Sequence, residues 1–410
     1  MSIPTAATSG VSARLAATMA VCCAIAVSTI YYHQPLLPQM AASFGLAPTQ
    51  AGLIATLTQL GYAAGLLLIV PLADCRQPRR LAVLAIAANA LALLSSALAP
   101  SFALLCASSF AVGVTAITAQ IIIPALSGLA TPAARGRVVG MLLSGLSAGL
   151  LLARTIGGFL GEYTGWRFVF VLASLIDLLL LIIVTRRLPD AATLSIISYA
   201  GLMRSLGSLL REEPVLRFCA ASGFLIFAAF SALWASLAAL LSQPPYGFGV
   251  ATIGLFGLSA LVGIVASPRI GALADRLGAR AMVLAGTLAL TVGFAFISAG
   301  GYSLVALIPG MVLLDFGNRA GLIANQTRVH TLRPEARNRL NTVFMGAYFL
   351  GGAIGAALGN YGAHQAAWAG LATVGAVLAL AAMAINALSP RHSSAAHNDT
   401  RSESDVQDVP

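Results

Sequence analysis

The chain has 410 residues, 59% of them hydrophobic and 9% charged, with a mean hydropathy of +0.90 and a net charge of +10. A soluble domain carries roughly 25% charged residues, so this composition excludes a soluble globular fold and describes a membrane protein. The positive charge does not imply nucleic acid: all 23 basic residues are arginine, and about 20 of them fall on one side of the membrane once the spans are placed, which is the positive-inside bias.

Residues 1–14 are rich in Ala, Ser and Thr, and are expected to be a cytoplasmic segment rather than a secretory signal. The apolar run behind them is as long as a span and carries no convincing cleavage site. Spans take about 20 apolar residues each. The runs divide at about 15–40, 48–71, 81–98, 101–125, 138–161 and 166–185, then at about 217–241, 250–272, 281–299, 302–326, 340–362 and 366–388. This pattern predicts an all-α membrane protein of twelve transmembrane helices, in two six-helix bundles over 15–185 and 217–388. Loops on one side carry Arg76, Arg79, Arg80, Arg135, Arg137, Arg186, Arg187, Arg276, Arg280, Arg333, Arg337 and Arg339. The first, second, fourth and fifth loops on the other side carry none. Both termini are therefore expected in the cytoplasm, with the chain in the inner membrane.

The connector over 186–216 places Tyr199, Leu202, Met203, Leu206, Leu209 and Leu210 at helical spacing, and predicts an amphipathic helix at the inner membrane surface that Pro214 ends. Residues 389–410 are polar and aperiodic, and read as a disordered cytoplasmic tail. The five cysteines show neither a disulfide framework nor metal spacing and read as small packing residues.

The chain repeats itself about 202 residues on. Pro132-Ala133-Ala134-Arg135-Gly136-Arg137 returns as Pro334-Glu335-Ala336-Arg337-Asn338-Arg339. After each comes a ladder of small residues at every fourth position: Gly145, Gly149, Ala153, Gly157, Gly161, and then Ala347, Gly351, Gly355, Gly359, Ala363. Gly45, Gly52, Gly61 and Trp166 match Gly247, Gly254, Gly263 and Trp368. Such duplication across membrane-length halves is a transporter signature. A small-residue stripe lets helices approach closely in lipid.

The segment Gly271-Ala272-Leu273-Ala274-Asp275-Arg276-Leu277-Gly278-Ala279-Arg280 resembles the loop signature of the major facilitator superfamily, and Pro71-Leu72-Ala73-Asp74-Cys75-Arg76-Gln77-Pro78-Arg79-Arg80 is a degenerate copy. Tyr31-Tyr32-His33-Gln34-Pro35-Leu36-Leu37-Pro38 and Leu314-Asp315-Phe316-Gly317 resemble segments of that family's bacterial twelve-helix branch of proton-coupled drug, sugar or nucleoside exporters. The resemblance covers about residues 15–390. It implies a latch of the outward-open state built from Asp74, Arg76, Arg80, Asp275, Arg276 and Arg280; plain positive-inside charge with one counter-ion per loop is the alternative. Ala153-Arg154-Thr155-Ile156-Gly157-Gly158 is similar to the branch's glycine motif of span 5, with Arg154 in place of Pro. That departure leaves a coupling role and ordinary packing both open. The branch's span-4 Arg-x-x-Gln-Gly is absent: Ser109 and Val112 stand before Gly113.

A charge in the bilayer core costs about 2.5–3.5 kcal/mol on insertion scales and so calls for a role. Arg154 lies about 24 Å up span 5 and Asp315 about 16 Å up span 10, with Arg319 one turn nearer the cytoplasm. Asp315 and Arg319 share a helix face. The proton-coupling candidates are Asp315, Arg154, Arg319 and His33, with a static buried ion pair as the alternative. Asp177 in span 6 reads as local packing or snorkelling. Substrate-cavity candidates are Gln34, Gln59, Gln120, Trp234, Asn318 and Asn325, with Gln326 beside them; each serves equally as interhelical glue.

No phosphate loop, metal-ligand spacing or catalytic cluster appears, so no cofactor, metal or enzymatic activity is expected. The expected function is proton-coupled export of small organic molecules by a monomer in the lipid bilayer. A metabolite importer or facilitator is the alternative within that class, and a membrane sensor or scaffold the alternative outside it.

Overall fold

The computed structural model describes residues 11–190, 198–333 and 336–388. The expected tail over 389–410, residues 1–10 and the connector stretch 191–197 lie outside the described residues, as does the side chain of Asp275. Every regular element among the described residues is helical.

In the first half, α1 (Ala13–Ser28) and α2 (His33–Ser43) form one span, and α3 (Gly52–Leu68) continues into the short α4 (Leu72–Cys75). Then come α5 (Pro78–Ala97), the pair α6 (Phe102–Thr115) and α7 (Thr118–Leu129), α8 (Pro132–Thr164) and α9 (Trp166–Arg187). The connector holds α10 (Tyr199–Glu212), which buries Leu202, Leu206 and Leu209. In the second half, α11 (Pro214–Leu241) is followed by α12 (Val250–Leu255), a 3-10 turn over Phe256–Ser259 and α13 (Ala260–Leu277), which together make one span. α14 (Ala279–Ser298), α15 (Leu304–His330) and α16 (Arg337–Leu388) complete the chain.

α16 has 52 residues. At 1.5 Å per residue that is about 78 Å, more than twice the ~30 Å hydrocarbon core. The backbone breaks at Ala366 and Ala367, and Ala367 takes φ 46°. The chain folds back there, with Gly362 and Gly370 laid against each other, so α16 is spans 11 and 12.

Helices run past the apolar stretches at the arginine-rich end: α8 starts at Pro132 and α15 ends at His330. Hydropathy falls there before helical hydrogen bonding does, because long Arg side chains carry their charge out to water while the backbone stays paired. Pro78, Pro132 and Pro214 each open a helix, where their missing N–H has no intrahelical partner to lose.

The two glycine ladders do the same job twice. Gly145 and Gly149 lie against the Ala20 and Ala24 backbone, and Gly351 and Gly355 against Phe224 and Ala228. A Cβ at any of these would overlap the facing carbonyl oxygen. α8 therefore packs on α1 as the first stretch of α16 packs on α11. The facing residues give a shifted register. Gly149 meets Ala24 and Gly157 meets Tyr32, whereas Gly351 meets Phe224 and Gly359 meets Ala232. Spans 1 and 7 are thus offset by 200 residues, while the ladders are offset by 202. The two extra residues fall before Gly247, the partner of Gly45, and both glycines have positive φ.

The halves meet along two seams. α3 packs against α16, with Gly52 under Asn360 and Gly346 under Leu67. α2 and α8 pack against α11 and α12 in the half away from the arginine-rich loops. There Gly158 abuts Val250 and Gly254, and Glu162 accepts from the Ala251 N–H at 3.2 Å.

Candidate functional site

The second seam carries two of the buried charges, Arg154 and Asp315. The break between α1 and α2 turns Tyr31, His33 and Gln34 inward, and the Ser28 hydroxyl anchors it by donating to Gly149 O at 3.0 Å. Arg154, one position beyond the Ala153 rung, is 2% exposed. Its Nε donates to Gln34 Oε1 at 2.5 Å. Its guanidinium carbon lies 3.8 Å from the Trp234 ring centroid and 5.0 Å from that of Tyr31. Neither Nη1 nor Nη2 has a hydrogen-bond partner among the described residues. By the register of spans 1 and 7, Gln34 and Trp234 are equivalent positions, so the two halves grip Arg154 from matching places.

α12 passes close because Gly254 and Gly257 present no side chain. A Cβ on Gly254 would stand 2.7 Å from Arg154 O, and one on Gly257 3.0 Å from Arg154 Cβ. Thr155 Oγ1 donates to Gly254 O at 3.2 Å across the seam. The 3-10 turn that follows brings Ser259 to Asp315 on α15, 3.5 Å from Oδ2. Asp315 is 3% exposed. Among the described residues no ion pair within 4.0 Å joins Asp315 to Arg154 or to Arg319, although both arginines act on it electrostatically. Arg319 Nε has no hydrogen-bond partner. A shared helix face thus does not suffice to pair Asp315 with Arg319.

The remaining candidates separate by location. His33 is buried, and its Nε2 has no partner. Gln59 is buried, with Oε1 unpartnered. Asn318 accepts from the Tyr348 hydroxyl at 2.7 Å. Asn325 is fully buried and donates to Ser222 Oγ at 2.9 Å, which Asn386 also reaches at 2.8 Å. That clasp joins α11, α15 and the end of α16. Gln326 donates to Asn341 Oδ1 at 3.1 Å. Gln120 donates to the Tyr62 hydroxyl at 3.3 Å and lines a cavity of about 70 Å³ that also touches Asp74, Asn338 and Asn341.

Of the loop residues, Asp74 is half-buried in that cavity and faces the charge of Arg339. Arg76, Arg80 and Arg276 are exposed. Arg79 pairs with Asp190 at 3.0 Å, and Arg280 donates to Ala387 O at 2.5 Å. Asp177 is 2% exposed and does not snorkel, and its Oδ1 has no partner.

An aromatic layer closes the centre, and the sequence reading does not anticipate it. Phe227 stacks on Tyr348 at 4.1 Å and meets Phe230 and Phe349, and Phe349 meets Tyr62 across the halves at 4.5 Å. The spacing of Phe227, Phe230 and Trp234 on one helix is the available signal. The cavity beside Arg154 is only about 10 Å³, room for about one water, and is lined by Gln34, Pro35, Trp234, Leu237, Ala238 and Ile253. A wider cleft of about 430 Å³ lies at the far end, rimmed by Gln50, Asn360, His364 and Gln365. No group of three or more metal-ligating side chains occurs among the described residues.

The family model of the Major Facilitator Superfamily matches residues 18–327 and 219–407. The chain is 38% identical over 369 residues to the "Uncharacterized transporter YgaY" of Escherichia coli O157:H7, covering 90% of this chain and 94% of that protein. It is 33% identical over 370 residues to the "Probable transporter SCO4007" of Streptomyces coelicolor, covering 89% and 85%. Its fold is similar to that of the nucleoside transporter NupG, with a TM-score of 0.73, 14% identity, and coverage of 90% and 99%. The chain belongs to the major facilitator superfamily, and it is a multi-pass membrane transporter of small molecules.

Proposed function

We propose that this transporter is a proton-coupled exporter of small organic molecules that works by alternating access, with Asp315 as the proton-binding group. The observation that carries this reading is the state of Asp315. It is a buried carboxylate that, among the described residues, has one long contact, to Ser259, and no direct ion pair. A carboxylate already locked to a guanidinium resists protonation, whereas one held by charge at a distance exchanges its proton more readily. Arg154 and Arg319 bias it from across the seam and along α15. Protonation removes their shared counter-charge, and the two halves separate at the α8–α12 contact. The export direction rests on the resemblance of the segments around Tyr31 and Leu314 to the efflux branch. An inner-membrane setting with both termini in the cytoplasm follows from the arginine-rich loops.

The test uses everted membrane vesicles screened with metabolites and drugs, with and without a proton gradient. Accepted compounds should release protons from energised vesicles, and Asp315→Asn should reduce that release at least 10-fold without changing expression. Uptake of every accepted compound that ignores the gradient, or an Asp315→Asn variant that stays fully coupled, refutes the proposal.

A further inference from the structure

The charges around Arg154 do not balance. Among the described residues, the side chains acting on it are the neutral Tyr31 phenol, Asp315 and Arg319, so this cluster carries two positive charges and one negative. A guanidinium offers five N–H donors. Here Nε is used on Gln34, and the four N–H bonds of Nη1 and Nη2 are unused at 2% exposure. Cation–π contact with Trp234 and Tyr31 stabilises part of the charge, but it takes none of those donors. Unmade hydrogen bonds on a buried charged group are costly, so the arrangement favours an acceptor arriving at Nη1 and Nη2.

We propose that Nη1 and Nη2 of Arg154 receive the carboxylate of the transported molecule, and that this molecule is an organic monoanion with an apolar body. The paired Nη atoms match a carboxylate as a two-pronged acceptor. The negative charge brings the cluster to neutrality. Leu237, Ala238 and Ile253, with the Trp234 ring, form the wall that an apolar body would meet. That wall belongs to the second half, and Gln34, Pro35 and Arg154 of the first half face it across the 10 Å³ hollow, so the hollow widens when the seam parts. This assignment rests on the transporter reading but does not require that protons drive it.

The full-length protein in nanodiscs would be titrated with benzoate, phenylacetate and hexanoate, each beside its neutral amide, reading both unfolding temperature and binding of the radiolabelled compound. At least one carboxylate should bind 10-fold or more tightly than its amide, and Arg154→Gln should abolish the difference. Gln34→Glu places a carboxylate beside Arg154, completes the charge internally, and should weaken carboxylate binding at least 10-fold. If Arg154→Gln does not fold, the amide comparison and Gln34→Glu still decide. Equal binding of acid and amide in all three pairs, absence of binding by all three acids, or unchanged binding in Gln34→Glu overturns the proposal. Proton release lost in Asp315→Asn is read separately. Carboxylate binding without proton movement defeats only the coupling, and proton-coupled transport confined to neutral compounds defeats only the anion site.

Discussion

Arg154, Asp315 and Arg319 are legible as single residues because a charge inside a 20-residue apolar run stands out in any sequence. Their partners are not. Gln34 is a candidate for substrate contact by sequence, and in the fold it is the Nε acceptor of Arg154. Ser259, the contact of Asp315, lies in a segment that reads only as apolar helix. Ala367 likewise carries no signal of its own. It is the repeat partner of Gly165, and both have positive φ, 46° and 81°. Glycine adopts such a conformation freely and alanine does not. Ala367→Gly should therefore stabilise the protein by on the order of 1 kcal/mol, and Gly165→Ala should destabilise it by a similar amount. Thermal unfolding in detergent checks both; a lower unfolding temperature for Ala367→Gly counts against strain at that turn.

At the scale of elements, the ladders show why periodicity alone predicts more than hydropathy does. Gly355 lies against the Ala228 backbone, which cannot step aside. Gly355→Ala should part α11 from α16 and cost about 1–3 kcal/mol, the usual overpacking penalty. Gly140 is on the same helix as the first ladder, but a Cβ there would meet nothing within 4 Å. Gly140→Ala should therefore be neutral or gain up to about 1 kcal/mol of helix propensity. Equal loss at both sites in denaturant titration would remove the packing role of the ladder. Gly158 faces the other half, near Val250 O. Gly158→Leu should pry the far-end seam open and raise the maleimide reactivity of a cysteine introduced at Ala251. Unchanged labelling would mean that the seam is not the closing contact.

At the scale of the whole molecule, α10 reaches both halves. The Tyr199 hydroxyl donates to Leu68 O at 2.7 Å, and Arg333 pairs with Glu212 at 3.2 Å and Glu213 at 2.6 Å. These ion pairs lie at the surface, with Arg333 and Glu212 well exposed and Glu213 less so, and surface pairs contribute little to stability. Arg333→Glu should leave the unfolding temperature nearly unchanged while speeding proteolytic cleavage in the connector. A large fall in unfolding temperature would show instead that the clasp supports the fold. The functional asymmetry is clearest at this scale, since the repeat gives Arg154 only Ala356 as its counterpart and Asp315 only Gly113.

The sequence by itself determined the membrane setting, the twelve spans, the duplication and the charges set inside apolar runs at Arg154, Asp315 and Arg319. Each of those follows from terms that act along one helix: transfer of apolar side chains into lipid, charge at the interface, and a four-residue packing stripe. Only the tertiary structure decided that spans 1 and 7 are offset by 200 rather than 202, that Gln34 and Trp234 hold Arg154, and that the direct contact of Asp315 is Ser259 rather than either arginine. Those outcomes depend on how two bundles approach one another. Helix rotation and the width left by Gly254 and Gly257 set that approach, and no pattern within a single span encodes it.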